Sequence, residues 1–193
     1  MKNSVVVIIV LVIIALIVGG MYVSRRNEMV RLNETVKSSW AEVDVQLQRR
    51  ADLIPNLVET VKGFAAQEQT VFNDIARARA ALLGAQTPAD KIAANGQLDG
   101  ALGRLLLIVE NYPQLKSNEN FLRLQDELAG TENRISVARK RYNDVIQAYN
   151  TFIGTFPNNI FARWAGFQRN DAYFAASAAS RQTPNVQFPG PNR

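Results

Sequence analysis

Residues 46–59 read QLQRRADLIPNLVE, a stretch with the composition of a helix and a proline, Pro55, near its centre. A proline inside a helix removes one backbone donor and clashes with the carbonyl four residues earlier, here that of Ala51, at a cost of about 3 kcal/mol. It also pushes the preceding residue, Ile54, away from helical angles. The stretch is therefore either a kink in one long helix or a corner between two helices.

The residues on both sides of Pro55 have a helical pattern. Apolar residues recur at steps of three and four at Val36, Trp40, Val43, Leu47, Ile54, Val58 and Val61. A single helix from Arg25 to Leu83 would be about 90 Å long. The helix that follows is less than half as long, so the apolar face around Trp40 would need another subunit to cover it.

A turn near residues 50–55 gives a different arrangement. The segments 25–50, 55–83, 88–112 and 119–156 then form an all-α, antiparallel up-and-down four-helix bundle with short connections. Asp52 caps the second helix in this scheme, and Pro55 falls in its first turn, where a missing donor costs little. The absence of a glycine at the turn favours the kinked helix. We favour the corner because it buries every apolar stripe.

Several local signals set the other helix boundaries. Gly84 is a natural C-terminal signal, and Thr87-Pro88-Ala89-Asp90 has the features of a capped helix start. Pro113 ends that helix, and Ser117 or Asn118 caps the last long one. The last helix carries a coiled-coil-like seam at Phe121, Leu124, Leu128, Thr131, Ile135, Ala138, Tyr142, Val145, Tyr149, Phe152 and Phe156.

The N-terminus is strongly apolar. No charge interrupts Val5–Val23, and this run meets the roughly 20 residues that a helix needs to span a bilayer. A cleaved signal peptide would have a shorter apolar core and an A-x-A-like cleavage site, so we favour a retained anchor at residues 1–24. Basic residues follow the run at Arg25, Arg26, Arg31 and Lys37, against Lys2 before it. The positive-inside rule thus predicts a cytoplasmic soluble domain.

The segment FPNNIFARWAGF, residues 156–167, carries a second apolar face. This face consists of Ile160, Phe161, Trp164 and Phe167. In the corner arrangement it lies near the bilayer with Arg25 and Arg26, where it suits an interfacial segment. We favour the alternative, in which these aromatics cap the bundle core. With a continuous first helix the segment would lie far from the lipid. Residues 168–193 are predicted to be a polar, flexible tail.

Three blocks resemble the LemA family. They are WAEVDVQLQRRADLIPNLVETVKGFAAQE (40–68), ENYPQLKSNENFLRLQDELAGTENRISVARKRYND (110–144) and YNTFIGTFPNNIFARWAGF (149–167). The resemblance covers nearly the whole chain, with the blocks in the expected order. It implies a bacterial membrane protein, here placed in the inner membrane, with a four-helix-bundle soluble domain at residues 25–167. It implies no catalytic residue, because none is established for the family.

The composition limits the chemistry. The chain has no histidine and no cysteine, which removes the usual general base, the thiol nucleophile and the Glu-x-x-His ligands of a di-metal bundle. The carboxylates show no inward-facing set, although an all-carboxylate cation site remains an alternative. A net charge of +5 scattered along helices gives no basis for nucleic-acid binding. We therefore expect no catalytic residue, no metal, no cofactor and no small-molecule substrate.

Polar residues gather in two places. Glu132 and Arg139 are seven residues apart beside the seam of the last helix, with Asn143 on the same flank, and a second group surrounds the proline at Arg49, Arg50, Asp52, Pro55, Asn56 and Glu59. If the two groups meet, they form a partly buried network that fixes the register of the bundle. A docking surface is the functional interpretation, and structural pairing is the interpretation we favour.

Two classes of function remain. The first is a non-enzymatic, membrane-anchored interaction or scaffold protein that binds the lipid bilayer and a protein partner or a second copy of itself. A membrane-remodelling protein that uses the aromatic segment 156–167 is a variant of it. The second is a cation-dependent enzyme at the membrane surface. The anchor, the helical pattern and the lack of catalytic groups favour the first.

Overall fold

The computed structural model describes residues 2–175, and in this range the regular secondary structure is all helical, without a strand. The six helices are α1 (Lys2–Lys62), α2 (Gln69–Gly84), α3 (Pro88–Val109), α4 (Pro113–Lys116), α5 (Glu119–Gly154) and α6 (Asn158–Ala165). The all-α prediction is confirmed.

Helix α1 runs without interruption through Pro55. The predicted corner at residues 50–55 is therefore wrong. Residues 63–68 make the turn instead, where the amides of Gly63 and Ala65 bond to the carbonyls of Glu59 and Val61 at 3.3 and 2.9 Å. At 1.5 Å per residue, the 61 residues of α1 extend for about 90 Å.

The carbonyl that Pro55 leaves without a helical donor has another partner. Arg79 of α2 donates a hydrogen bond from its Nε to the main-chain oxygen of Ala51 at 2.7 Å. Ala51 is completely buried, so this oxygen has no access to water. The guanidinium therefore replaces the missing amide, and the long helix passes the proline without a buried unsatisfied acceptor.

The other long helices pack along α1, α3 in the same direction and α2 and α5 in the opposite one. Asp44 pairs with Lys91 at the start of α3, and at the far end Gln67 donates to the Tyr112 hydroxyl at 2.6 Å. Helices α2 and α3 thus pack as an antiparallel pair beside the half of α1 that is distant from the apolar terminus. Helix α5 runs antiparallel to α1, because Arg141 pairs with Glu42 at 2.9 Å while the earlier Glu132 pairs with the later Arg50 at 2.8 Å.

The apolar face at Trp40 is covered within the chain. The Trp40 ring lies 5.2 Å from that of Tyr142 on α5 and 6.2 Å, stacked, from that of Phe174. The expectation that a continuous first helix would leave this face for another subunit is therefore wrong. The α2–α3 pair does not reach this part of α1, but α5 and the residues after α6 do, and they cover the Trp40 face.

Local signals in α3 and α5 act as predicted. Thr87 accepts a hydrogen bond from the amide of Asp90 at 3.1 Å, and Asn118 accepts one from Phe121 at 3.0 Å. The predicted seam of α5 holds only in part, since Ile146 and Ile153 are buried in place of Val145 and Phe152, which are only partly buried, and Phe156 lies beyond the end of the helix. A straight helix with 3.6 residues per turn drifts from a heptad pattern, which moves the buried stripe along α5.

The chain remains attached to the helices after α6. Gly166 ends α6 in the left-handed conformation at φ 77°, and the amide of Phe167 bonds to the Ala162 carbonyl at 2.9 Å. Residues 168–174 then lie against α5, held by its side chains. The flexible tail predicted from residue 168 therefore begins too early, and its part at 176–193 lies outside the described residues.

Candidate functional site

A cluster of charges joins three helices at Arg50. The Arg50 side chain, on α1, is 9% exposed, and its Nη1 lies 2.5 Å from Asp99 on α3 and 2.8 Å from Glu132 on α5. Asn95 accepts a further hydrogen bond from Arg50 at 3.2 Å and donates to Asp99 at 3.0 Å. Arg139 completes the cluster, at 3.5 Å from Glu132 and 4.0 Å from Asp99.

The charges of this cluster balance. Two guanidinium groups face two carboxylates, and Asp99 and Glu132 are each about two-fifths exposed. Ion pairs of this kind can fix the register between packed helices. Removal of one partner destabilises the fold, because the other charge then remains partly buried without an opposite charge. The arrangement resembles a registry device for α1, α3 and α5 more closely than a catalytic centre.

The predicted network is found only in part. Arg50, Glu132 and Arg139 come together, and Asn143 lies next to them on the flank of α5. The others lie on the exposed face of α1, where Asp52 accepts from Gln48 and Glu59 pairs with Lys62: these are Arg49, Asp52, Pro55, Asn56 and Glu59. Sequence reasoning missed Asn95 and Asp99, although two polar residues four apart within an apolar stripe were a usable signal.

Two asparagines of α5 hold the segment 168–174. Asn150 donates to the Asn170 carbonyl at 2.7 Å and accepts from the Asn170 amide at 2.9 Å. Asn143 does the same with Phe174, at 2.8 and 3.0 Å. Each amide side chain thus satisfies both polar groups of one residue, as a neighbouring strand would.

The segment also connects to the charged cluster. Its Phe174 ring lies under the guanidinium of Arg139, 5.1 Å from ring centre to Cζ. The same ring meets Tyr142 edge-on at 6.0 Å. Burial raises the pKa of the Tyr142 phenol above its ordinary value, and it does the same for Tyr149, whose hydroxyl donates to the Gln168 carbonyl.

The chemistry available at these places is limited. Within residues 2–175, no group of three or more acidic side chains is arranged to hold a metal ion. Arg50, Asp99, Glu132 and Arg139 are paired among themselves, and the buried tyrosines are kept protonated. These groups hold helices and the chain end together.

An apolar groove lies between α1 and α5 on the flank away from residues 168–174. It has a volume of about 720 Å³. Val45 of α1 and Val137 of α5 line it, and these two side chains are 62% and 71% exposed. Glu42 and Arg141 form an ion pair at its edge. Exposed apolar side chains that line one groove together, unlike single scattered ones, are of the kind that contacts a partner.

The aromatic segment lies beside the end of the apolar run. The Phe161 ring packs edge-on against Tyr22 of α1, with the ring centres 5.9 Å apart. Phe161 is buried and Phe167 partly so, whereas Ile160 and Trp164 are exposed, as are Arg25 and Arg26. Phe161 thus covers the end of the core, and Trp164 is exposed to solvent.

Val5–Val23 is exposed along its whole length apart from Tyr22, which is half-buried. Helix α1 is long and apolar enough at this end to cross a membrane. The continuous-helix arrangement was expected to carry the aromatic segment away from the lipid, and this expectation is wrong. The turn at residues 63–68 adds one reversal of the chain, so that α2 runs opposite to α1, α3 runs parallel to it and α5 runs opposite to it again. Helix α5 therefore ends near the apolar end of α1.

These features define a class of helical protein: an apolar N-terminal helix that continues directly into an all-helical domain whose buried charges pair with one another. The chain belongs to the LemA family, whose model matches residues 39–188. The resemblance seen in the three sequence blocks is thereby confirmed.

Individual relatives are similar over most of their length. Magnetosome protein MamQ 2 of Paramagnetospirillum magneticum is 28% identical over 188 residues, which cover 84% of this chain and 68% of the relative. Magnetosome protein MamQ of Magnetospirillum gryphiswaldense is 29% identical with the same coverage. Protein LemA of Metamycoplasma hominis is 26% identical over 83% of this chain and 74% of its own length.

Proposed function

We propose that this chain is a non-enzymatic scaffold protein of the bacterial inner membrane. Residues 1–24 are its retained anchor and residues 25–167 its interaction domain, a four-helix bundle of the distal half of α1 with α2, α3 and α5. The domain faces the cytoplasm, since Arg25, Arg26 and Arg31 follow the span directly. The apolar groove between α1 and α5 is the observation that carries the proposal.

The continuity of α1 supports a scaffold. The helix continues for 39 residues beyond Val23, which corresponds to about 58 Å at 1.5 Å per residue. No loop separates the candidate span from the domain, so the domain has a fixed height and direction relative to the anchor. A binding surface on α1 is therefore presented at the same distance from the bilayer in every copy.

The non-enzymatic character rests on the residue types and their pairing. The chain has neither histidine nor cysteine. The carboxylates that a cation-dependent enzyme would use near the proline are exposed and already paired, Asp52 with Gln48 and Glu59 with Lys62. Arg50, the most buried charged residue of the domain, is compensated by Asp99 and Glu132.

The occupant that we propose for the groove is a second copy of the chain. Copies anchored by the same helix stand parallel, so a two-fold axis along the membrane normal brings identical residues together at equal height. Val45 and Val137 then pack against their counterparts. The edge of the groove carries both signs of charge, Glu42 and Arg141, so an approaching copy meets complementary charges.

Disulfide crosslinking tests this association. The natural chain has no cysteine, so Val45→Cys or Val137→Cys introduces a single thiol. In native membranes under mild oxidation, we expect each variant to give a covalent dimer. Leu107→Cys is the matched control, because Leu107 is 65% exposed but lies on α3, outside the groove. Monomers for both valine variants, or equal dimer for all three, would reject a second copy as the occupant.

The same control variant tests the orientation. If the domain is cytoplasmic, a membrane-impermeant maleimide added to intact cells leaves the Leu107→Cys thiol unlabelled. Labelling then follows only after the membrane is opened. Labelling of intact cells would place the domain on the other side and would overturn the positive-inside assignment.

A further inference from the structure

We infer that α6 and the preceding Phe156 form a second membrane contact, in which Phe156, Ile160 and Trp164 insert into the bilayer surface beside the anchor. The partner is the lipid itself, at the boundary between headgroups and acyl chains. This contact does not depend on whether copies of the chain associate through the groove.

The position of α6 along α1 is the first step. Tyr22 is one residue from the end of the apolar run Val5–Val23. Phe161 packs against Tyr22 with ring centres 5.9 Å apart, and Trp164 packs against Phe161 at 6.2 Å. Three consecutive rings therefore lead from the last turn of the candidate span to the exposed indole. When the span occupies the hydrocarbon layer, α6 lies at the level of the headgroups.

The exposed side chains are of the type that this layer selects. Phe156 is 81% exposed, Trp164 71% and Ile160 40%. Ile160 and Trp164 are four residues apart and share a face of α6, and Phe156 lies in the turn that precedes this helix. Tryptophan and phenylalanine are favoured at the membrane interface, where an amphipathic helix lies with its apolar face about 5–10 Å deep.

Exposed cationic residues are present on α6 and in the turns of α1 that follow the apolar run. Arg25 and Arg26 on α1 and Arg163 on α6 are exposed. Arg169 is also exposed, with Asp171 at 3.7 Å as its partner. This excess of positive charge attracts the anionic headgroups of a bacterial inner leaflet, at about 1 kcal/mol for each basic residue near the surface.

Two contacts with the membrane constrain the domain more than the anchor does alone. An isolated span tilts and rotates in the bilayer. The second contact, made by α6 at the side of α1, restricts rotation of the domain about the axis of α1, and α5 then keeps one position around that axis. The groove between α1 and α5 then keeps a defined orientation relative to the membrane plane.

Tryptophan quenching in proteoliposomes tests the contact with the full-length chain. The chain has two tryptophans, so Trp40→Phe leaves Trp164 as the single tryptophan, whose emission is excited selectively at wavelengths that tyrosine does not absorb. Reconstitution uses equal parts of phosphatidylcholine and phosphatidylglycerol, with bromine on the acyl chain close to the headgroup. We expect strong quenching and a blue-shifted emission for Trp164. Emission at the wavelength of a water-exposed indole, without quenching, would overturn the proposal.

Trp164→Phe is the matched control. It leaves Trp40, which is 17 residues beyond Val23 and thus about 26 Å above the end of the span. We expect its quenching by brominated lipid to be several-fold weaker. Equal quenching of the two tryptophans would reject the contact, because it would reflect proximity to vesicles in general.

A further variant separates insertion from simple proximity. Phe156→Ser with Ile160→Ser, in the Trp40→Phe chain, removes the other exposed apolar groups without a change in the core. We expect Trp164 to lose more than half of its quenching while the helical circular dichroism signal is retained. Unchanged quenching would show that the patch does not insert as a unit and would contradict the proposal.

Discussion

Arg79 of α2 donates from its Nε to the buried carbonyl oxygen of Ala51, 28 residues earlier in the chain, at 2.7 Å. This oxygen is the one that the proline at position 55 leaves without its helical amide. A contact between two helices thus repairs a defect within one of them. This hydrogen bond stabilises α1 at the proline, within the helix that joins the candidate span to the domain.

Removal of Arg79 is therefore expected to destabilise the domain through Ala51. A hydrogen bond from a charged donor to a buried acceptor contributes about 1.5–3 kcal/mol, so we expect Arg79→Ala to cost that amount. Urea unfolding of the detergent-solubilised chain, followed by circular dichroism, measures the loss. Arg77→Ala is the control: Arg77 is 77% exposed, pairs with Asp74, and its loss is expected to cost less than about 0.5 kcal/mol.

A double-mutant cycle with Pro55→Ala tests the reason for the loss. Alanine at position 55 supplies the missing amide to the Ala51 carbonyl, so Arg79→Ala should cost about 1–2 kcal/mol less in that chain than in the natural one. The same cost in both chains would mean that Arg79 acts only through packing of α2 on α1.

The cluster at Arg50 gives a second expectation, with an adjacent residue as its control. Arg50→Ala removes the cation from between Asp99 and Glu132, and we expect a loss of about 2–3 kcal/mol in the free energy of unfolding. The expected loss of stability is moderate because both carboxylates are partly exposed and are hydrated once Arg50 is absent. Arg49→Ala alters the exposed face of α1, and surface substitutions of this kind cost about 0.5 kcal/mol or less.

Glu132→Ala should cost less than Arg50→Ala. It leaves Asp99 at 2.5 Å to compensate Arg50, whereas loss of Arg50 leaves two carboxylates facing each other. The same urea unfolding experiment gives this order. The reverse order would show that the cluster is held mainly by Glu132 and Arg139.

Local signals predicted much of the fold. Thr87 and Asn118 cap helices as expected, and the segments predicted at 88–112 and 119–156 correspond to α3 and α5. The predicted segments 25–50 and 55–83 are wrong, because α1 continues to Lys62 and the turn at residues 63–68 interrupts the second of them. The continuation of α1 through Pro55 was not predictable from such local signals. Local propensity penalises a proline in a helix, and the compensating group, Arg79, is a residue that no short-range pattern connects to Ala51. The turn at residues 63–68 contains a glycine, but no proline, and was therefore overlooked.

The site was predictable to a similar extent. The spacing of seven between Glu132 and Arg139 correctly indicated one flank of α5. Asn95 and Asp99 were missed, although they are polar residues four apart on a helix whose other buried residues are apolar. Long-range pairing decides which polar residues are buried, and it cannot be inferred from the sequence of one helix alone.

The last prediction concerns the segment 168–174 and its hold on α5. Asn150 makes three hydrogen bonds to it: two with the main chain of Asn170 and one with the Tyr173 hydroxyl at 3.0 Å. Asn150→Ala removes them all and leaves the Asn170 amide open to solvent. A loss of about 2 kcal/mol in the free energy of local opening corresponds to roughly 30-fold faster amide exchange.

Hydrogen exchange with mass spectrometry measures this effect on peptides that contain residues 168–175. We expect the acceleration to be confined to this segment and to the contacts of Phe174, since the α1–α5 core does not depend on Asn150. Thr151→Ala, at an exposed neighbouring position, should leave exchange unchanged. If exchange in α5 itself accelerated to the same degree, Asn150 would be stabilising the core, and the segment would be held by the aromatic contacts of Phe174 with Trp40 and Tyr142.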